Sequence, residues 1–121
     1  MILVDTSIWI DHLRQGDPTL AGLLNADQVY MHPFIIGEIA LGKLPRRASL
    51  LRDLMDLPMA APATPGEVLS FIEGERLHGL GIGYVDAHLL AATRLSPDAA
   101  LWTRDRRLGG IATRLGLAAS V

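Results

Sequence analysis

Four acidic residues have the identity and placement a reactive centre needs: Asp5, Glu38, Asp86 and Asp105. Asp5 closes the apolar run Ile2-Leu3-Val4, and Asp105 lies just past the run Ala99-Ala100-Leu101-Trp102. Glu38 is flanked by Ile36, Ile39, Ala40 and Leu41. A buried, unpaired carboxylate in that setting would be expensive. Four carboxylates sharing one pocket repel each other and raise their own pKa values unless a cation sits among them. A hard divalent ion with oxygen ligands, Mg²⁺ or Mn²⁺, answers that need. Such an ion binds phosphate oxygens and activates water, which would allow phosphodiester hydrolysis without a side-chain nucleophile. The chain has no cysteine. That excludes disulfides, thiolate zinc sites and cysteine nucleophiles.

The secondary structure that would hold these acids follows from the pattern of the chain. Ile2-Leu3-Val4 is a continuous apolar run, as in a buried strand of a parallel sheet. Asp5-Thr6-Ser7 offers cap chemistry for a helix carrying Ile8, Trp9 and Leu13. Gly16-Asp17-Pro18 breaks it, and Leu20, Leu23 and Leu24 suggest a short second helix. Gln28–Met31 reads as a strand. Pro33 suits the first position of a helix over 34–41 that carries Glu38 and stops at Gly42. A further helix is expected over 47–57 and a weak third strand over 58–61. The stretch 64–78 reads as helix, with Thr64, Pro65 and Glu67 forming a capping box. Glycines from 79 to 83 mark a turn before a helix from Tyr84 or Val85 to about Arg94, with Asp86 in its first turn. Strand 99–102, helix 106–115 and an edge strand 117–119 complete the chain. Gly109-Gly110 weakens the last helix by about 1 kcal/mol per glycine.

Strands alternating with helices predict an α/β fold: a three-layer α/β/α domain around a parallel sheet of four to five strands. In such a sheet, sites form outside the carboxyl ends of the strands. Asp5 and Asp105 then share one edge, and a helix starting near Asp86 can reach it. Each acid also has a purely structural reading. Asp5 and Asp105 could cap helices, Asp86 could favour a helix dipole, and Glu38 could pair with Lys43.

Composition sets the outer bounds. The 121 residues fit one domain, 1–121. Half of them are hydrophobic, and the mean hydropathy of +0.29 is high enough that a partner could cover apolar surface. The formal net charge is −2, so any nucleic-acid binding needs a local basic patch. The sequence shows no membrane-spanning run and no secretory signal pattern, and a cytoplasmic location is expected.

Four blocks resemble the PIN-domain nucleases, and more narrowly the VapC-type toxin ribonucleases of toxin–antitoxin pairs. They are Ile2–Trp9, Gly37–Gly42, Gly83–Ala92 and Leu101–Leu108. The resemblance spans essentially the whole chain. It implies endonucleolytic cleavage of RNA with Mg²⁺ or Mn²⁺, and Asp5, Glu38, Asp86 and Asp105 as the catalytic and metal-binding acids. It implies Thr6 or Ser7 and Thr103 as supporting hydroxyls. It also implies a homodimer and an antitoxin that occupies the active-site groove. Similar proteins often follow the fourth acid with another acid and a phenylalanine, where this chain has Arg107 and Leu108.

Other residues have weaker claims. Arg104, Arg106 and Arg107 match phosphate geometry and could contact RNA. Lys43, Arg46 and Arg47 read as a solvated cluster. The histidines fit no metal motif, and His32 could be a helix cap. Trp9 could line a groove, whereas Trp102 and Phe71 read as core. A phosphatase of the haloacid-dehalogenase type would want Asp-x-Asp after the first strand, and Ser7 stands there instead. A response-regulator receiver needs a late lysine, and Lys43 is the only lysine. A catalytically silent binding module is the rival from another class.

Overall fold

The computed structural model describes residues 1–121. Its elements in chain order are β1 (Ile2–Val4), α1 (Thr6–Gln15), α2 (Pro18–Asn25), β2 (Val29–Tyr30), α3 (Pro33–Ala40), α4 (Arg47–Met55), α5 (Pro65–Gly74), α6 (Tyr84–Leu95), β3 (Ala100–Trp102) and α7 (Arg106–Arg114). The strands form one parallel sheet in the order β2-β1-β3. β1 is central, with Val4 opposite Trp102 in register.

The sheet has three strands, not the four to five expected. Segments 58–61 and 117–119 each contribute a single bridge, Met31 to Met59 and Leu101 to Ala118. Each bridge has two backbone hydrogen bonds. Pro58 has no N–H to donate, and only the turn Leu115-Gly116 separates Leu117 from the end of α7.

Leu3 and Val4 are both fully buried. Successive strand residues point to opposite faces, so both faces of the sheet are covered. α6 lies against β3 and α5 packs on α6, while α1 packs on α3 and α3 on α4. Ile8, Ile35, Ile39, Leu89, Leu90, Leu101 and Leu108 join Leu3 and Val4 in the main core. Trp9 belongs there too, at 2% exposure, and so does not line a groove.

Two local features differ from expectation. α5 ends at Gly74, not near His78. Arg76 adopts φ +55°, and the Leu77 N–H returns to the Ile72 carbonyl at 2.9 Å while the Arg76 N–H returns to Glu73. That is a Schellman stop closed by a non-glycine residue. Arg47 is also not merely solvated. Its guanidinium donates to the carbonyls of Ala40 and Gly42, satisfying the open end of α3.

Candidate active site

The strand order reverses at β1: the chain steps from β1 to β2 on one side and then crosses to β3 on the other. The carboxyl ends of β1 and β3 meet at this switch point, the place where sites form in open parallel sheets. Asp5 and Thr103 are the first residues beyond those two strands. The Asp5 N–H continues the ladder to the Trp102 carbonyl at 2.9 Å.

Asp5 is the N-cap of α1. Its Oδ1 accepts from the Thr6 N–H at 2.8 Å, and its Oδ2 accepts from Thr103 Oγ1 at 2.7 Å. Thr103 Oγ1 in turn accepts from the Asp105 N–H at 3.1 Å. Asp105 is the N-cap of α7, its Oδ1 accepting from the Leu108 N–H at 2.9 Å. Both residues therefore do cap helices. This role does not compete with a site, because the caps are what fix these carboxylates at the sheet edge.

Glu38 is exposed, at the edge of the α3 face that buries Ile35, three residues before it, and Ile39. The cost of burial that its neighbours suggested does not arise. Its Oε1 accepts from Thr6 Oγ1 at 2.6 Å, and it pairs with no lysine or arginine. Asp86 is at the third position of α6 after the N-cap Gly83, whose N–H it receives on Oδ2 at 3.3 Å. The hydroxyls of Thr6 and Thr103 thus each orient one of the acids. Ser7 is exposed and makes no hydrogen bond with its side chain.

The electrostatics join the four acids. The Asp86 carboxyl is held above its ordinary pKa, first by burial and then by the negative charges of Asp5, Asp105 and Glu38, against the opposing Gly83 hydrogen bond. All four acids therefore act on one locality. None of them forms an ion pair. Glu38, Asp86 and Asp105 each keep one carboxylate oxygen free of any protein donor. No three of them close into a ready-made cage, as expected of like charges with nothing between them. The donor set is all oxygen, unpaired and mutually repelling, which fits a hard divalent cation.

A profile of the PIN domain matches residues 2–113. The chain belongs to the PIN-domain family. This PIN domain is 45% identical over 118 residues to ribonuclease VapC32 of Mycobacterium tuberculosis, in both strain CDC 1551 / Oshkosh and strain ATCC 25618 / H37Rv. The match covers 98% of this chain and 95% of each relative. The resemblance carried by the four motif blocks is thereby established for the whole domain.

The arginines separate into different environments. Arg104 is engaged by Asp11 and Asp17 and lies 6.0 Å from the Trp102 ring. Arg106 and Arg107 are exposed and unpaired. An aromatic cluster surrounds His88, which composition and motif do not single out. Phe34 and Tyr84 both meet its ring edge-on, at 4.7 and 4.6 Å. The i, i+4 spacing of Tyr84 and His88 is the one available signal in the linear chain. His32 caps α3, its Nδ1 accepting from the Phe34 N–H at 3.0 Å. Its Nε2 is buried without a partner. The largest surface cavity, about 760 Å³, lies between α5 and α6 and contains none of the four acids. No helix is long and apolar enough to cross a membrane.

Proposed function

We propose that this PIN domain is a Mg²⁺-dependent endoribonuclease, with Mn²⁺ as an alternative ion, and the toxin of a toxin–antitoxin pair. The observation that carries the reading is the convergence of Asp5, Glu38, Asp86 and Asp105 on one sheet edge with no cationic partner. Similarity to a protein named a ribonuclease supports RNA as the substrate class. Asp5, Glu38, Asp86 and Asp105 would hold the ion. Held by these residues, such an ion would offset the four charges and would supply an activated water for phosphodiester hydrolysis.

The chain's own residues supply orientation. Thr103 fixes Asp5, Thr6 fixes Glu38, and the turn at Gly83 fixes Asp86. With these carboxylates committed to one direction, little reorganisation is left for the reacting complex. Arg106 and Arg107, next in sequence to Asp105, are free to hold RNA phosphates, whereas Arg104 is tied to Asp11 and Asp17.

Residues 1–121 would act as one domain in the cytoplasm, where its RNA would be found. Exposed Phe34, Leu41, Met55, Met59 and Tyr84 supply apolar surface for a homodimer or for an antitoxin over the active-site groove. The decisive experiment incubates RNA with the protein in Mg²⁺, the protein in EDTA, and Asp5→Asn in Mg²⁺. Cleavage in the first alone is expected. Equal cleavage in all three would refute metal dependence, and cleavage in none would favour a silent binding module.

A further inference from the structure

Arg106, Arg107 and Arg114 line a surface cleft of about 340 Å³ together with Leu80, Gly110 and Ile111. No acidic residue lines it, and none of the three guanidinium groups is in an ion pair. In a chain of net charge −2, three arginines without an acidic partner around one hollow are a local reversal of sign. We propose that this cleft binds a phosphodiester of the RNA strand that flanks the cleavage site. The proposal rests on the ribonuclease reading above.

The cleft is shaped by two glycines. Gly110 lies within α7, four residues after Arg106 and four before Arg114, so all three share one helix face. Glycine weakens a helix interior relative to alanine. A Cβ at 110 would meet nothing within 4 Å, so internal packing does not require glycine there. Its effect is to leave a gap between the arginines. Gly81, in the turn before α6, has φ +83°, and a Cβ there would stand 2.5 Å from Nη1 of Arg107. Glycine lets the Arg107 side chain lie against that turn. Arg114 is held by an Nη2 hydrogen bond to the Glu75 carbonyl at 2.9 Å, which leaves its other donors unengaged.

Position favours RNA over an acidic protein segment as the occupant. α7 begins at Asp105, and the turn containing Gly81 leads directly to the Gly83 N–H that Asp86 receives. Both walls of the cleft are thus continuations of segments that carry site acids. A strand seated on the acids would run onto α7, whose rise from Arg106 to Arg114 is about 12 Å. Guanidinium forks bind phosphate oxygens in pairs.

The test measures binding of an end-labelled single-stranded RNA of mixed sequence by fluorescence anisotropy, in EDTA, over a series of salt concentrations. Gly110→Glu inserts a carboxylate between Arg106 and Arg114 at a position open enough to take it, and improves helix propensity. Arg114→Gln removes one guanidinium. Each is expected to bind about tenfold more weakly, with the log–log salt slope reduced by about 0.7 for each phosphate left without its guanidinium. Arg14→Gln, on α1, is expected to bind as wild type. Wild-type affinity and slope in a folded Gly110→Glu would overturn the proposal. So would unchanged RNA binding together with abolished binding of polyglutamate, which would mark an acidic protein partner. Cleavage in Mg²⁺ is scored separately. Weaker RNA binding by the cleft variants of a protein that cleaves no RNA would support the cleft and refute the ribonuclease reading.

Discussion

Thr103 Oγ1 donates to Asp5 Oδ2 at 2.7 Å, joining two residues 98 positions apart in the chain. The same oxygen accepts from the Asp105 N–H. One hydroxyl therefore couples the first acid to the segment that carries the fourth. Thr103→Val keeps the shape and removes both bonds. With Asp5 in its proposed role as a metal ligand, activity in Mg²⁺ is expected to fall about 10- to 100-fold, the usual effect of losing a group that orients such a ligand. Stability should fall by only about 1 kcal/mol. Cleavage rates and urea unfolding of the same preparation separate the two effects. A stability loss without a rate loss would reduce Thr103 to a structural link.

Asp86→Asn is expected to abolish cleavage and yet stabilise the metal-free protein at neutral pH. A carboxyl whose folded pKa is raised contributes stability that is fully present below its unfolded value, ordinarily 3.8, and is lost as pH rises through the folded value. Asparagine cannot ionise and can still accept the Gly83 N–H. The variant's advantage in Tm should therefore shrink as pH falls toward 3.8. Mg²⁺ at about a hundred times its Kd should stabilise the wild type by about 2.7 kcal/mol and the variant much less. A lower Tm for metal-free Asp86→Asn at neutral pH would show that Asp86 is chiefly a cap.

His32 sets an acid limit on the fold. Burial, and secondarily the charge of His88, lower its pKa from 6.5 to about 4. With Nδ1 accepting from Phe34, the neutral ring carries its proton on Nε2. A depressed pKa contributes stability that is present above pH 6.5 and is lost as pH falls to about 4. The loss amounts to about 3 kcal/mol. His32→Asn retains an N-cap acceptor and removes this titration. Its stability profile between those pH values should be flatter than that of the wild type. Parallel profiles would refute the assignment.

Gly109→Ala tests whether α7 carries avoidable helix strain beside the site. A Cβ at 109 would meet only Thr103 Cγ2, at 3.8 Å, an ordinary contact. Stability should rise by about 0.5–1 kcal/mol, measured by urea unfolding, with cleavage unchanged. A fall in stability would mean that α7 must flex at this position.

The order of elements, the helix caps and the four acids proposed as the site are legible in the linear chain, because those features are local. An apolar run ending in Asp, a Thr-Pro-x-Glu capping box and a Pro after His32 state their structure within a few residues. The family is legible too, since four motif blocks in order are specific when each alone is not. Which acids are free emerges only on folding. Asp5 and Asp105 cap helices and still face the site, a double role that linear spacing cannot show. The fold likewise reveals that Arg104 is neutralised by Asp11 and Asp17 while Arg106, Arg107 and Arg114 are not. Sheet width also needs the folded chain, for the β-like composition at 58–61 and 117–119 yields single bridges where the backbone turns away. One cause underlies the whole division. Capping and periodicity act over one helical turn, whereas charge pairing and edge pairing depend on segments brought together from distant parts of the chain.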